Sequence, residues 1–100
     1  MIDNPYIEKT WKNYKIRTFS VAVNEQELVW HRDKRSRIVR VIEGKGWKIQ
    51  LDNQLPRDFY EGDIINISKM RYHRLIKGHT DLVLEIKEQW VDIEKQWEKP

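Results

Sequence analysis

The stretch "WHRDKRSRIVRVIEGKG", residues 30–46, carries the residues of this chain best suited to chemistry. His31 and Asp33 stand two apart, and residues two apart on a strand project from one face. A second histidine, His73, sits in "RYHRLI", residues 71–76. His31 Nε2, an Asp33 carboxylate oxygen and His73 Nε2 would make a two-histidine, one-carboxylate face for a divalent metal, with coordination positions left open. Iron(II), zinc, manganese or nickel would suit that set. The set suits iron(II) oxygen chemistry, because open positions would let the ion bind a chelating substrate and dioxygen, and it equally suits an ion that polarises a carbonyl.

Arg37 follows where another carboxylate would complete the ligands. A permanent cation cannot coordinate a metal, so Arg37 either neutralises Asp33 or stands behind it and orients the ligating oxygen. On a straight strand the two would lie about 13 Å apart, at about 3.3 Å per residue. Their contact therefore requires a bend in "DKRSR". The competing reading is a metal-free pocket with an Asp33–Arg37 ion pair. His31 and His73, with Tyr72 or Tyr60, would then serve as acid and base. Arg37 or Arg40 would supply the counter-charge for a small polar or anionic ligand. Alternation puts Arg37 on the face of Val39 and Val41 and Arg40 on the other, so Arg37 is the expected pocket residue.

Short strands must position these groups. Alternation of apolar and polar residues predicts strands over 14–23, 37–43, 46–52, 63–67 and 81–87, with a further one in 71–76. Gly44 and Gly46 bracket Lys45 as a tight reversal, and Asn53 to Pro56 is a second turn. Trp47, Ile49 and Leu51 share a face, as do Leu82, Leu84 and Ile86. Seven or eight short strands with turn signals between them predict an antiparallel sandwich or barrel. "NPYIEKTW" reads as an extended arm. Ile86, Trp90, Ile93 and Trp97 recur at helical steps and predict a short C-terminal helix. Trp30 and Trp47 are expected in the core, Met70 as bulk filling a gap, and His79 exposed.

With these elements in place, the chain resembles the cupin family of small double-stranded β-helix barrels. The family's first motif is a glycine, five residues, His-x-His, three or four residues, Glu, six residues and Gly. His31 takes the first histidine, Asp33 the second, Arg37 the glutamate and Gly44 the closing glycine, while Glu25 stands at the leading glycine. The second motif is Gly, five residues, Pro-x-Gly, two residues and His. Gly62 and His73 match it, and Ser68 and Met70 replace its proline and inner glycine. The resemblance implies a jelly-roll barrel with a pocket at its open end lined by motif residues, and often a dimer. It also brings in the acid/base chemistry of cupin sugar epimerases and isomerases. It implies no single activity, because one fold hosts many.

Composition bounds the rest. One hundred residues suit one domain, here 1–100, without a separate cofactor domain. Hydrophobic residues make up 39% and charged residues 35%, which predicts a globular chain with a heavily charged surface. No apolar run approaches the roughly 20 residues of a membrane span. The absence of cysteine excludes thiolate catalysis and Cys-ligated zinc, and fits a cytoplasmic location. A net charge of +3 and the cluster Arg32, Lys34, Arg35, Arg37 raise the possibility of nucleic acid. No RNA-binding aromatic signature or helix-turn-helix pattern accompanies them, so a small-molecule ligand is the expected partner. Ile38 and Ile42 point away from the inward face, and a chain this small has little to cover them with, so a homodimer is expected.

Overall fold

The computed structural model describes residues 5–89. Eight strands follow in order: β1 (Tyr6–Thr10), β2 (Lys15–Phe19), β3 (Arg37–Glu43), β4 (Lys48–Leu51), β5 (Arg57–Asp58), β6 (Ile64–Ile67), β7 (His73–Ile76) and β8 (Leu82–Glu88). One turn of 3₁₀ helix covers Glu25–Glu27, capped by the Asn24 side chain on the Gln26 amide. The strands form a five-stranded sheet in the order β1-β2-β8-β3-β6 and a three-stranded sheet in the order β5-β4-β7. Among the described residues these strands pair antiparallel, as the alternating patterns predict.

The inward faces make one core between the sheets. The five-stranded sheet contributes Phe19, Val39, Val41, Ile65, Ile67, Leu82, Leu84 and Ile86, and the smaller one contributes Trp47 and Ile49, with Phe59 just past β5. Val41, Trp47 and Leu82 are almost wholly enclosed. Burying a side chain of this size is worth about 1.5–3 kcal/mol, which is why alternation was enough to predict the inward faces. The reversal between β3 and β4 uses Gly44 at φ +152° and Gly46 at φ +80°, values that L side chains rarely adopt. Gly78 packs directly under the Lys45 carbonyl and the Trp47 ring, where a Cβ would have no room.

Several expectations change. The strand predicted over 14–23 ends at Phe19, because residues 20–23 turn. The N-terminal arm pairs with β2 as an edge strand, Tyr6 opposite Phe19. Ile86 belongs to β8 and faces the core; Trp90, Ile93 and Trp97, the remainder of the predicted helical stripe, lie outside the described residues. Trp47 is core, but Trp30 is 41% exposed and Met70 is 47% exposed. Trp30 adjoins the inward-facing His31, so alternation turns it outward. Met70 stands where the second motif has a glycine, and takes φ +64° there. The turn needs the left-handed conformation, and its side chain is thrown into solvent. His79 is exposed, as expected. Among the described residues no helix is long and apolar enough to cross a membrane.

Candidate metal centre

His73 opens β7, and His31 lies in the segment before β3. The two backbones exchange hydrogen bonds, His31 N–H to the His73 carbonyl at 3.0 Å and His73 N–H to the His31 carbonyl at 2.9 Å. A directly opposed antiparallel pair puts both side chains on one face, here the cavity side, with His73 buried and His31 exposed at the mouth. Their rings meet edge to face with centroids 4.2 Å apart. Asp33, two residues after His31, keeps that inward direction.

Beyond Asp33 the chain bends at Lys34 and Arg35 before β3 begins. The bend is tied down on both sides. Met70 N–H donates to the Asp33 carbonyl at 2.6 Å, and Lys69 N–H to Ser36 Oγ at 3.0 Å. Gln89 N–H donates to the Ser36 carbonyl at 2.8 Å. The shortened path brings Arg37 Nη2 to 3.3 Å from Asp33 Oδ1, so the two meet as the bend predicted. Arg37 faces inward with Val39 and Val41, while Arg40 faces outward and pairs with Glu85 at 3.0 Å.

The protonation pattern can be read from the partners. His73 Nδ1 lies 2.8 Å from the Arg71 carbonyl, and a carbonyl only accepts, so Nδ1 carries the hydrogen. In the neutral ring Nε2 then bears a lone pair. That lone pair lies 3.4 Å from Asp33 Oδ2, a buried oxygen with no hydrogen-bond partner. Two acceptors thus face each other in a buried setting, an arrangement that calls for a cation between them. Burial holds the His73 imidazole below its ordinary pKa, against the pull of the Arg71 carbonyl, and His31 and Arg37 add to the depression while Asp33 opposes it. A proton is therefore a poor occupant near neutral pH. His31 Nδ1 is likewise 3.2 Å from a backbone carbonyl, that of Val29, which leaves Nε2 free to ligate.

One ligand atom from each of His31, Asp33 and His73 lies within 4.8 Å of the others. Ligands side by side on one ion, each about 2.1 Å from it, stand about 3.0–3.4 Å apart. Asp33 Oδ2 and His73 Nε2 are already 3.4 Å apart, and closing the set around an ion draws the most distant ligand atom in by up to about 1.5 Å. The donor set of two imidazoles and one carboxylate fits a divalent transition metal. A cavity of about 240 Å³ opens beside His31, Asp33 and Arg37, walled by Tyr6, Phe19, Leu28 and Leu75. A second, of about 40 Å³, continues past His73 toward Val39 and Phe59.

Tyr72 and Tyr60 do not join this group. Tyr72 precedes His73 and so points outward, 42% exposed, with the Arg32 guanidinium 5.0 Å from its ring centre. Tyr60 is on the surface and donates to Asp58 at 2.9 Å. Sequence reasoning missed the charged layer behind the site. Glu88 Oε2 accepts from Arg37 Nη2 at 2.9 Å and from Lys15 Nζ at 3.3 Å. Glu8 Oε1 pairs with Arg17 Nη2 at 2.6 Å, and the Arg17 guanidinium covers the Tyr6 ring. A signal for them existed, since Lys15 and Arg17 continue the inward stripe of Phe19, and Glu88 continues that of Leu84 and Ile86.

No protein-family model matches the chain, and no curated protein matches it. Solved structures do. KdgF from Halomonas sp. is 15% identical and superposes with a TM-score of 0.63 over 94% of this chain and 89% of its own. A cupin-2 domain containing protein from Shewanella frigidimarina is 17% identical, with a TM-score of 0.62 over 88% of this chain and 85% of its own. A cupin protein from Bacteroides fragilis is 13% identical, with a TM-score of 0.62 over 91% and 80% respectively. The antiparallel jelly roll, the motif register of His31, Gly44, Gly62 and His73, and these superpositions agree: the chain folds as a cupin.

Proposed function

We propose that the chain binds a divalent transition metal through His31 Nε2, Asp33 Oδ2 and His73 Nε2, and presents it to a small polar or anionic molecule in the adjoining cavity. The observation that carries this reading is the buried Asp33 Oδ2, unpartnered and 3.4 Å from the His73 lone pair. Iron(II), zinc, manganese and nickel all suit the donors. When bound, such an ion would supply Lewis acidity at its open positions. The chain's own residues do the remaining work. The Arg71 and Val29 carbonyls fix the two imidazoles by their Nδ1 hydrogens, Arg37 holds Asp33 by its other oxygen, and the Tyr6, Phe19, Leu28 and Leu75 walls exclude water from the ligand's apolar part. Arg17 and Arg37 both line the cavity, which favours an anionic group on the ligand.

The Asp33–Arg37 contact supports a second reading, a metal-free pocket in which His31 and His73 exchange protons with the ligand. One experiment separates the two. Protein purified without affinity tag or chelator is analysed for metal, then the His73→Ala variant is titrated with manganese or zinc. Stoichiometric metal that is lost in the variant supports the metal centre. Wild-type protein that carries none and takes up none refutes it in favour of the metal-free pocket.

A further inference from the structure

Two carboxylates share one guanidinium nitrogen. Arg37 Nη2 stands 2.9 Å from Glu88 Oε2 and 3.3 Å from Asp33 Oδ1. Its Nε is buried with no hydrogen-bond partner, so Nε and Nη2 do not form the two-nitrogen fork in which guanidinium and carboxylate pair most strongly. The shorter contact is the one to Glu88. Glu88 is in turn well anchored: it is Arg37's register partner across β3 and β8, and Lys15 Nζ and Arg35 Nη1 reach it at 3.3 and 3.7 Å.

We propose that Glu88 is a positioning residue that sets the metal affinity of the site by holding Arg37 off the Asp33 carboxylate. The proposal rests on the metal reading above. A guanidinium released from Glu88 has Asp33 as its nearest carboxylate, and Nε is free to complete the fork there. Both Asp33 oxygens would then be engaged, and Oδ2 would be withdrawn from the His73 lone pair. With Glu88 in place, Arg37 touches only Oδ1 and leaves Oδ2 for an ion. The departure from the cupin motif at Arg37 is thus balanced by a carboxylate from the far end of the chain.

A double-mutant cycle tests this by isothermal titration of wild type, Glu88→Gln, Arg37→Gln and the double variant with zinc and with manganese. If Glu88 acts through Arg37, Glu88→Gln weakens binding about tenfold or more, Arg37→Gln tightens it, and Glu88→Gln changes affinity less than about threefold once Arg37 is gone. An equal loss in both backgrounds means that Glu88 acts only as a distant negative charge, and overturns the proposal. No loss in the wild-type background overturns it as well. Glu88→Asp keeps the charge but withdraws it by one methylene; it should weaken binding in the same direction, and tighter binding there counts against the idea even if Glu88→Gln fails to fold. Metal bound by none of the proteins ends the metal reading itself, and with it the role of Glu88.

Discussion

Exchanging Arg37 for glutamate puts a carboxylate where the cupin motif has one and removes a cation from beside Asp33. An ion on Asp33 Oδ2 would stand about 5 Å from the guanidinium, which itself lies 3.3 Å from Oδ1. Repulsion between a unit and a divalent charge at that distance is about 1.7 kcal/mol at the dielectric of water, and several-fold more at the effective value of about 20 near a protein surface. Glu88, 2.9 Å from the same nitrogen, cancels part of it, so the lower figure is the safer guide. Arg37→Glu should therefore tighten manganese or zinc binding by about tenfold or more, which corresponds to about 1.4 kcal/mol. Without metal the variant should be less stable, because the introduced carboxylate meets Asp33 and Glu88 with only Lys15 and Arg35 to offset them. Titration calorimetry gives the affinity, and thermal unfolding with and without metal shows whether the ion recovers the lost stability. A folded variant with unchanged or weaker binding would refute the reasoning, since the ion could then be bound neither at Asp33 nor near residue 37.

Glu88 is held below the ordinary carboxylate pKa: burial opposes this, but Lys15 and Arg37 outweigh it. A depressed pKa stabilises the fold above the unfolded value of 4.5 and loses that contribution as pH falls through the folded one. Chemical denaturation at pH 6 and pH 3.5 should accordingly show a smaller acid loss in Glu88→Gln than in wild type. Leu82, at 0% exposure, packs over the Gly44 turn, so Leu82→Ala should cost about 2–5 kcal/mol by urea unfolding; a cost below about 1 kcal/mol would mean that the two sheets are not closed there. Ile7 and Ile64 stand 73% and 63% exposed on opposite edge strands of the large sheet, and a homodimer that covers part of that surface is expected. Sedimentation equilibrium at micromolar concentration should return about twice the 12.3 kDa chain mass, and a stable monomer would count against it.

Where one physical rule governed a residue, the sequence was legible. β3 spans Arg37–Glu43 as alternation predicted, because Val39 and Val41 must be buried and nothing competes with them. Trp30 and Met70 stand in solvent although their bulk predicts burial, and Tyr72 stands away from the histidines although it adjoins one in sequence. Trp30 and Tyr72 each flank an inward histidine, so the pleat turns them outward whatever their hydrophobicity. His31, Asp33 and His73 lie together as their local spacing and the motif register imply. Glu88 was not legible, because its partner Arg37 is 51 residues away in sequence and only the β3–β8 register joins them. Inward charges on otherwise apolar stripes, as at Arg17 and Glu88, were the signal left unread.

The place of β8 in the large sheet bears on how this chain becomes folded. It is the last described strand, yet it lies in the middle, between β2 and β3. During synthesis β1 and β2 can form only an isolated hairpin, which is marginal in water by itself. β3 can meet β6 but has an open edge until residues 82–88 arrive, so apolar strand edges stay unpaired for most of elongation. Pairings that close loops of this length are slow to form, and the cooperative step must come after the ribosome has delivered β8. Nascent chains arrested before Leu82 should then be protease-sensitive over β1, β2 and β3, and one strand would decide whether those that flank it in the large sheet hold any lasting structure.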